Sequence, residues 1–187
     1  NADDTVVGVG EQLKKVLEEK YHVAVCHDLS VYDMQDGKED RNKAYSQAAV
    51  AVQNLLDEHP SIEVTIDLHR DGVPDNVHLE TEINGKKTAK IMFLNGLSRN
   101  SNGDVNDFAQ NPNLSDNLAF SLQLQLKAKA YFPELVRHIY LRAYRYNLHF
   151  KPRSLLVEVG AQNNTVEEAK NAMEPLADIL YAVLLGK

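Results

Sequence analysis

Two stretches of this sequence combine residue types that could do chemistry. In Ile66-Asp67-Leu68-His69-Arg70-Asp71 an alternating apolar run ends on a histidine, an arginine and an aspartate. In Leu155-Leu156-Val157-Glu158-Val159 a single glutamate interrupts a continuous apolar run. A carboxylate inside an apolar strand must be paired, hydrogen-bonded or bound to something. A buried Glu at one strand end beside a His at another is a metal-hydrolase arrangement: the imidazole holds the ion and the carboxylate handles protons. Plainer readings stand beside this one. His69–Asp71 would be a solvated strand end, and Glu158 would sit at a sheet edge facing water.

Other chemistries find less support. His22, His27, His59 and His138 read as structural, and no two histidines form an H-x-x-x-H pair. Gly8-Val9-Gly10 has no strand before it, and Leu13 stands where a dinucleotide site needs its third glycine. Ser30, Ser46, Ser121 and Ser154 lack a G-x-S-x-G setting.

The elements that must position His69 and Glu158 follow from periodicity. Ile62, Val64, Ile66 and Leu68 alternate with polar residues over Ser61–Asp71, the period of a strand, bounded by Pro60 and by Gly72 and Pro74. Ser154–Val159 is a second, buried strand. Helices are predicted over Thr5–Lys20, with Asp3 or Asp4 near its start, and over Asn42–Glu58, Leu118–Tyr131 and Thr165–Leu185. The last is capped by Thr165 with Glu168 three residues on. Val23–Cys26 reads as a short strand with Cys26 buried, and His27–Asp40 as a polar connection containing Gly37. Asn84-Gly85 signals a hairpin whose second arm, Ala89–Leu94, is apolar enough to enter the main sheet. Ser98–Ser115 is a polar loop, and Ile139–Leu141 a short strand. The alternation of helix and strand predicts a single α/β domain: a mixed, mainly parallel sheet with helices on both faces.

Bulk properties narrow the function classes. The 187 residues carry a formal charge of -7, and no basic run suggests a nucleic-acid groove. Cys26 is the one cysteine, so neither an intrachain disulfide nor a thiolate metal cluster can form. No stretch approaches the roughly 20 apolar residues of a membrane span. Asn1 is not a natural translation start, so the chain is expected to belong to a longer protein.

Together I-D-L-H-R-D-G and P-R-S-L-L-V-E-V-G-A-Q-N-N-T-V-E-E-A resemble the stage II sporulation protein P family, a branch of the zinc-dependent N-acetylmuramoyl-L-alanine amidases. The likeness also takes in V-V-G-V-G-E-Q-L, R-D-G-V-P and R-Y-N-L-H-F-K-P-R-S-L-L-V-E, so it runs nearly the whole length. It implies a zinc held by a His and a Glu near an amino-terminal strand and by a second His on a later strand. A separate Glu acts as acid and base. His69 matches that second His, and Glu158 the catalytic Glu. The family's first strand and its H-T-H-x-x-E motif are expected just ahead of Asn1, leaving this sequence one expected ligand of three.

Within that resemblance Arg70, Arg145 and Arg153 are candidates for gripping stem-peptide carboxylates, since guanidinium binds them bidentately. Asn147 is a further substrate contact, and His78 and His149 could lie near the cleft. Ordinary salt bridging or packing is the alternative for each. The resemblance implies hydrolysis of the muramoyl–alanine amide during engulfment, with hydrolysis of peptide cross-links as a second implied activity. It further implies the stage II sporulation proteins D and M as partners, and an extracytoplasmic, septal location with a membrane anchor outside this sequence. The rival expectation is a metal-free module of the same fold that binds wall peptide or a partner protein.

Overall fold

A computed structural model describes residues 2–35, 38–39 and 41–186. Helix α1 spans Val6–Tyr21 after a short 3-10 turn over Ala2–Asp4. Asp3 and Asp4 lie just ahead of its start, and Thr5 caps it, its hydroxyl accepting the Val7 amide at 3.2 Å. Val23–Cys26 is not a strand. The Val25 amide donates to Glu18 Oε1 at 3.3 Å, and Val23 and Val25 pack on the core while Cys26 is exposed. The following connection holds a small antiparallel pair, β1 (Met34–Gln35) and β2 (Lys38–Glu39). Gly37 and Asp40 lie outside the described residues.

Helix α2, Arg41–Glu58, leads into β3, Val64–Asp71, shorter than the sequence suggests because Pro60 and Ser61 turn the chain. The hairpin forms as predicted, with β4 (Glu80–Ile83) and β5 (Lys86–Ala89) joined where Asn84 and Gly85 both adopt positive φ. The arm expected to enter the main sheet as one piece divides at Lys90: β5 stays with the hairpin, and β6 (Ile91–Gly96) enters the sheet.

Helix α3, Leu114–Tyr131, starts four residues before its predicted position. Asn117, in its first turn, is buried, with Nδ2 donating to the carbonyls of Lys151 and Pro152, so this polar turn is held by the fold and not by an apolar stripe. Strands β7 (Tyr140–Arg142) and β8 (Arg153–Ala161) complete the main sheet. The long final helix divides into α4 (Val166–Asn171) and α5 (Met173–Leu184). Pro175 has no amide to offer the Asn171 carbonyl, and its ring crowds that turn. The capping box at Thr165 and Glu168 is present.

The sheet runs β3-β8-β6-β7. β3 is parallel to β8, β6 antiparallel to β8, and β7 parallel to β6, so the sheet is mixed and mainly parallel. Alternation then sorts its side chains. Ile66, Leu68, Phe93, Leu155, Val157 and Val159 turn to one face and meet Val9 and Leu13 of α1, Leu124 of α3 and Ile179 of α5. Leu94 and Leu156 turn to the other face, where they meet Leu148 and Tyr146. Helix α2 reaches that second face, since its Tyr45 stacks on His69.

Candidate active site

His69 and Glu158 are register partners across the parallel β3–β8 pair, each near the carboxyl end of its strand. Neighbouring strands lie about 4.8 Å apart. Because side chains alternate, both project from the face opposite the main core, together with Asp67. Asp67 Oδ1 lies 2.9 Å from His69 Nε2. The Tyr45 ring lies nearly parallel to the imidazole, 7° between planes and 6.3 Å between centroids.

Beyond this pair the register shifts, since Asp71 is opposite Ala161, not Gly160. Gly160 makes the shift possible. Its φ is +61°, and an added Cβ would stand 2.6 Å from Asn164 Oδ1. Bulges of this kind re-aim strand ends beside active sites. The Ala-Gln-Asn-Asn turn that follows is a scaffold. Asn164 accepts the Ala161 amide at 2.9 Å and donates to the Leu79 carbonyl at 3.0 Å. Gln162 accepts the Val73 amide at 3.0 Å, and Asn163 donates to the Val77 carbonyl at 2.9 Å. The strand that carries Glu158 is thereby clamped at its carboxyl end.

The electrostatics suit a proton carrier. Glu158 Oε2 is buried with no hydrogen-bond partner. Burial pushes its carboxyl above the ordinary carboxylate range, against the pull of His69, and Asp71 and Asp67 push it further up while Arg137 opposes. Burial alone would lower the His69 imidazole, but the Asp67 hydrogen bond and the charges of Asp67 and Glu158 outweigh it, so the net shift is upward. Arg137 Nη1 holds Asp71 Oδ2 at 2.6 Å.

The other sequence candidates divide. Asn147 Nδ2 donates to the Tyr45 carbonyl at 3.0 Å, which ties the segment before β8 to the helix that covers His69. Arg145 is half-buried and within 3.4 Å of the Gln110 carbonyl. Arg70 turns its guanidinium to the carbonyls of Ala161, at 2.7 Å, and Asn164, where it braces the turn. Arg153 opens β8 and pairs with Glu63 at 2.9 Å. Five residues of strand separate it from Glu158, about 16 Å, so it is not brought to the pair. His149 lies beside Arg145 and has a buried, unpartnered Nδ1.

Sequence reasoning gave no role to Asp67, although D-L-H spacing puts it on the His69 face. Tyr45, Tyr146 and Arg137 were missed as well. They come from a helix and connections remote in sequence, and no local pattern marks them.

His69 fits zinc as one donor, with Asp67 as the carboxylate that orients metal-binding imidazoles. Zinc sites need three or four ligands. Among the described residues, the three-donor group of His, Cys, Asp and Glu is His78, Glu80 and Glu168, whose ligand atoms lie within 4.8 Å of one another. His78 Nε2 is 2.9 Å from Glu168 Oε2 and 3.6 Å from Glu80 Oε2. Glu168 is also the capping-box glutamate of α4, so part of its bonding is already committed. Among the described residues, the donors around His69 do not complete such a site.

Solved structures of similar fold are amidases. The solved structure of the CwlD amidase from Clostridioides difficile, in complex with the GerS lipoprotein, is similar at 12% identity and a TM-score of 0.57, covering 96% of this chain and 82% of that one. The N-acetylmuramyl-L-alanine amidase Ami1 from Mycobacterium smegmatis is similar at 15% identity and a TM-score of 0.52, covering 95% and 72%. The catalytic domain of CwlV, an N-acetylmuramoyl-L-alanine amidase from Bacillus (Paenibacillus) polymyxa var. colistinus, gives 14% identity and a TM-score of 0.50, covering 96% and 82%. These likenesses establish an amidase-type fold. No curated protein matches the chain by sequence. The family model for stage II sporulation protein P (SpoIIP) matches residues 1–181, so the chain belongs to that family of sporulation-related peptidoglycan hydrolases.

Proposed function

We propose that residues 1–187 form one catalytic domain that hydrolyses the amide between N-acetylmuramic acid and L-alanine, with Glu158 as proton carrier and His69 as a zinc ligand. The observation that carries this is the facing pair: Glu158, its Oε2 buried and unpartnered, opposite His69 across β3 and β8. Zinc, when bound, supplies Lewis acidity that polarises the amide carbonyl and makes water a stronger acid. Glu158 takes one proton from the attacking water. As the C–N bond breaks, it passes that proton to the leaving nitrogen, which departs as the amino terminus of the stem peptide. The water's oxygen and its second proton remain on the muramoyl side as a carboxylic acid, which becomes a carboxylate by giving that proton to the released amine or to solvent. A carboxyl held above its ordinary pKa is suited to both halves of that exchange, because accepting and returning the proton are then closer in energy. Arg145 and Asn147, on the segment leading to β8, are the proposed substrate contacts. Arg70 and Arg153 have less claim, since both are engaged elsewhere.

We place this activity in the cell-wall or septal space, on a membrane-anchored protein with the stage II sporulation proteins D and M as partners; membership of the stage II sporulation protein P family supports the sporulating-cell setting. Among the described residues no helix is long and apolar enough to cross a membrane. The incomplete donor set at His69 favours one other reading, a metal-free module of the same fold that binds wall peptide. Digestion of purified peptidoglycan separates the two. An amidase releases stem peptides with free alanine amino termini. Binding without release by the zinc-loaded protein would sink the catalytic proposal.

A further inference from the structure

A line of aromatic rings leads from His69 out to solvent. Tyr45 stacks on His69, Tyr146 meets Tyr45 edge-on at 5.4 Å, and Tyr144 meets Tyr146 edge-on at 6.3 Å. At the outer end Tyr144 is 70% exposed, although hydrogen bonds hold the backbone just before it. The carbonyls of Arg142 and Ala143 accept the amides of Leu97 and Arg99, each at 2.7 Å. Gly96 lets this segment close on β6, since a Cβ there would stand 2.3 Å from the Tyr144 carbonyl oxygen. Tyr146 holds a φ of +54°, a region that bulky residues rarely adopt and that clusters at functional sites. An aromatic side chain on a rigid backbone, unburied and continuous with the candidate site, is placed for a ligand and not for the core.

We propose that Tyr144, Tyr146 and Tyr45 form a platform for the saccharide of the substrate, so that the glycan strand is held beside the bond that Glu158 attacks. A pyranose ring presents C–H groups on its face and hydroxyls at its rim. A tyrosine matches it with an apolar ring and a polar tip. Arg142, exposed beside the platform with Nη1 donating to the Tyr140 hydroxyl at 3.1 Å, supplies further donors for the rim. A peptide ligand would be better served by strand-edge amides or paired guanidinium groups than by ring faces. This proposal rests on the amidase reading for the identity of the ligand.

The test is binding of the full chain to glycan strands stripped of their stem peptides, which contain no amide between sugar and alanine. Tyr144→Ala should weaken that binding at least tenfold, while Tyr144→Phe, which keeps the ring, stays within about twofold of wild type. Affinity for free stem peptide should not change. Tyr144 is exposed, so both variants should melt with the wild type. Unchanged glycan affinity in Tyr144→Ala overturns the proposal, as does a loss that appears on stem peptide instead. Wild type that cleaves wall without binding stripped glycan overturns the platform alone. Wild type that binds stripped glycan without cleaving overturns the amidase reading alone.

Discussion

Glu158 and His69 stand opposite one another in the parallel pairing of β3 and β8, and each has its proton affinity raised by the surroundings they share. Burial comes first for Glu158, and the carboxylates of Asp71 and Asp67 add to it. Asp67 does most to hold the imidazole up, against its burial. Three carboxylates and one imidazole on neighbouring strand ends make a site that retains protons beyond their ordinary range. A site that cleaves an amide has to return one to the leaving nitrogen.

Glu158→Gln should therefore lower amide cleavage by roughly 10²–10⁴-fold, the usual contribution of a positioned acid and base. Gln keeps the size of the side chain but cannot accept the proton of water. Zinc content should stay near that of wild type. The measurement is release of stem peptides from purified wall beside metal analysis of the same preparations. Loss of zinc in a folded Glu158→Gln protein would make Glu158 a ligand and overturn the division of roles.

The same substitution should stabilise the metal-free chain at neutral pH. A carboxyl whose folded pKa lies above its unfolded value favours folding fully while both states are protonated. That advantage is lost as pH rises from the unfolded value near 4.5 through the folded one. Gln carries no such penalty. Thermal melts across pH 4 to 8 should show Glu158→Gln gaining on wild type as pH rises, then running parallel above the folded pKa. A gap that closes with pH would contradict the upward shift.

Metal placement is tested by removing one imidazole at a time. With His69 as the zinc ligand, His69→Ala loses metal and cleavage together, whereas His78→Ala keeps both. His78, Glu80 and Glu168 are the competing donors. If His78→Ala empties the protein of zinc while His69→Ala retains it, the ion belongs between the hairpin and α4, and the role given to His69 is wrong.

Most of the framework was legible because periodicity and turn chemistry are local. β3, β8, the Asn84-Gly85 hairpin and the Thr165 capping box each have their causes within a few residues. What failed depended on the partner a segment takes in the fold, or on a local signal that another pattern masked. Val23–Cys26 has strand composition, but the Val25 amide finds the side chain of Glu18 and not a neighbouring strand. The break before α5 was readable, since Pro175 announces it, yet the apolar stripe on both sides masked the signal. In the site, D-L-H-R-D set His69 and Asp67 on one face by alternation alone. Tyr45 and Tyr146 arrive there through α2 and the connection before β8, and no spacing in the sequence relates them to His69.

Gly160→Ala should damage stability and catalysis together. The φ of +61° costs a non-glycine residue about 1–2 kcal/mol. The new Cβ would in addition meet Asn164 Oδ1, part of the clamp on β8, at 2.6 Å and the Ala89 side chain at 3.0 Å. The melting temperature should fall, and the cleavage rate measured well below the transition should fall with it, because Glu158 lies two residues away. An active, fully stable Gly160→Ala protein would show that the bulge does not set the position of Glu158.

His149 gives the chain an acid-side weakness that is independent of the paired carboxylates. Burial, helped by the positive charge of Arg145, lowers its imidazole to about 4, while its Nδ1 has no partner inside the fold. The sign is opposite to that at Glu158. A histidine whose folded pKa is depressed stays neutral in the native state, whereas the unfolded chain takes up a proton near its ordinary value of 6.5. The unfolded state then binds more protons between about pH 6.5 and 4, and stability falls as pH drops through that window. The slope should approach, without reaching, one proton per molecule, since His149 is only partly buried and solvent screens it. His149→Gln removes the titration and should flatten the curve between pH 6.5 and 5, above the range where most carboxylates protonate. Thermal or urea melts at half-unit steps for the two proteins provide the comparison. Parallel curves over that interval would mean that His149 titrates normally, and that the apolar packing around it yields to the charge.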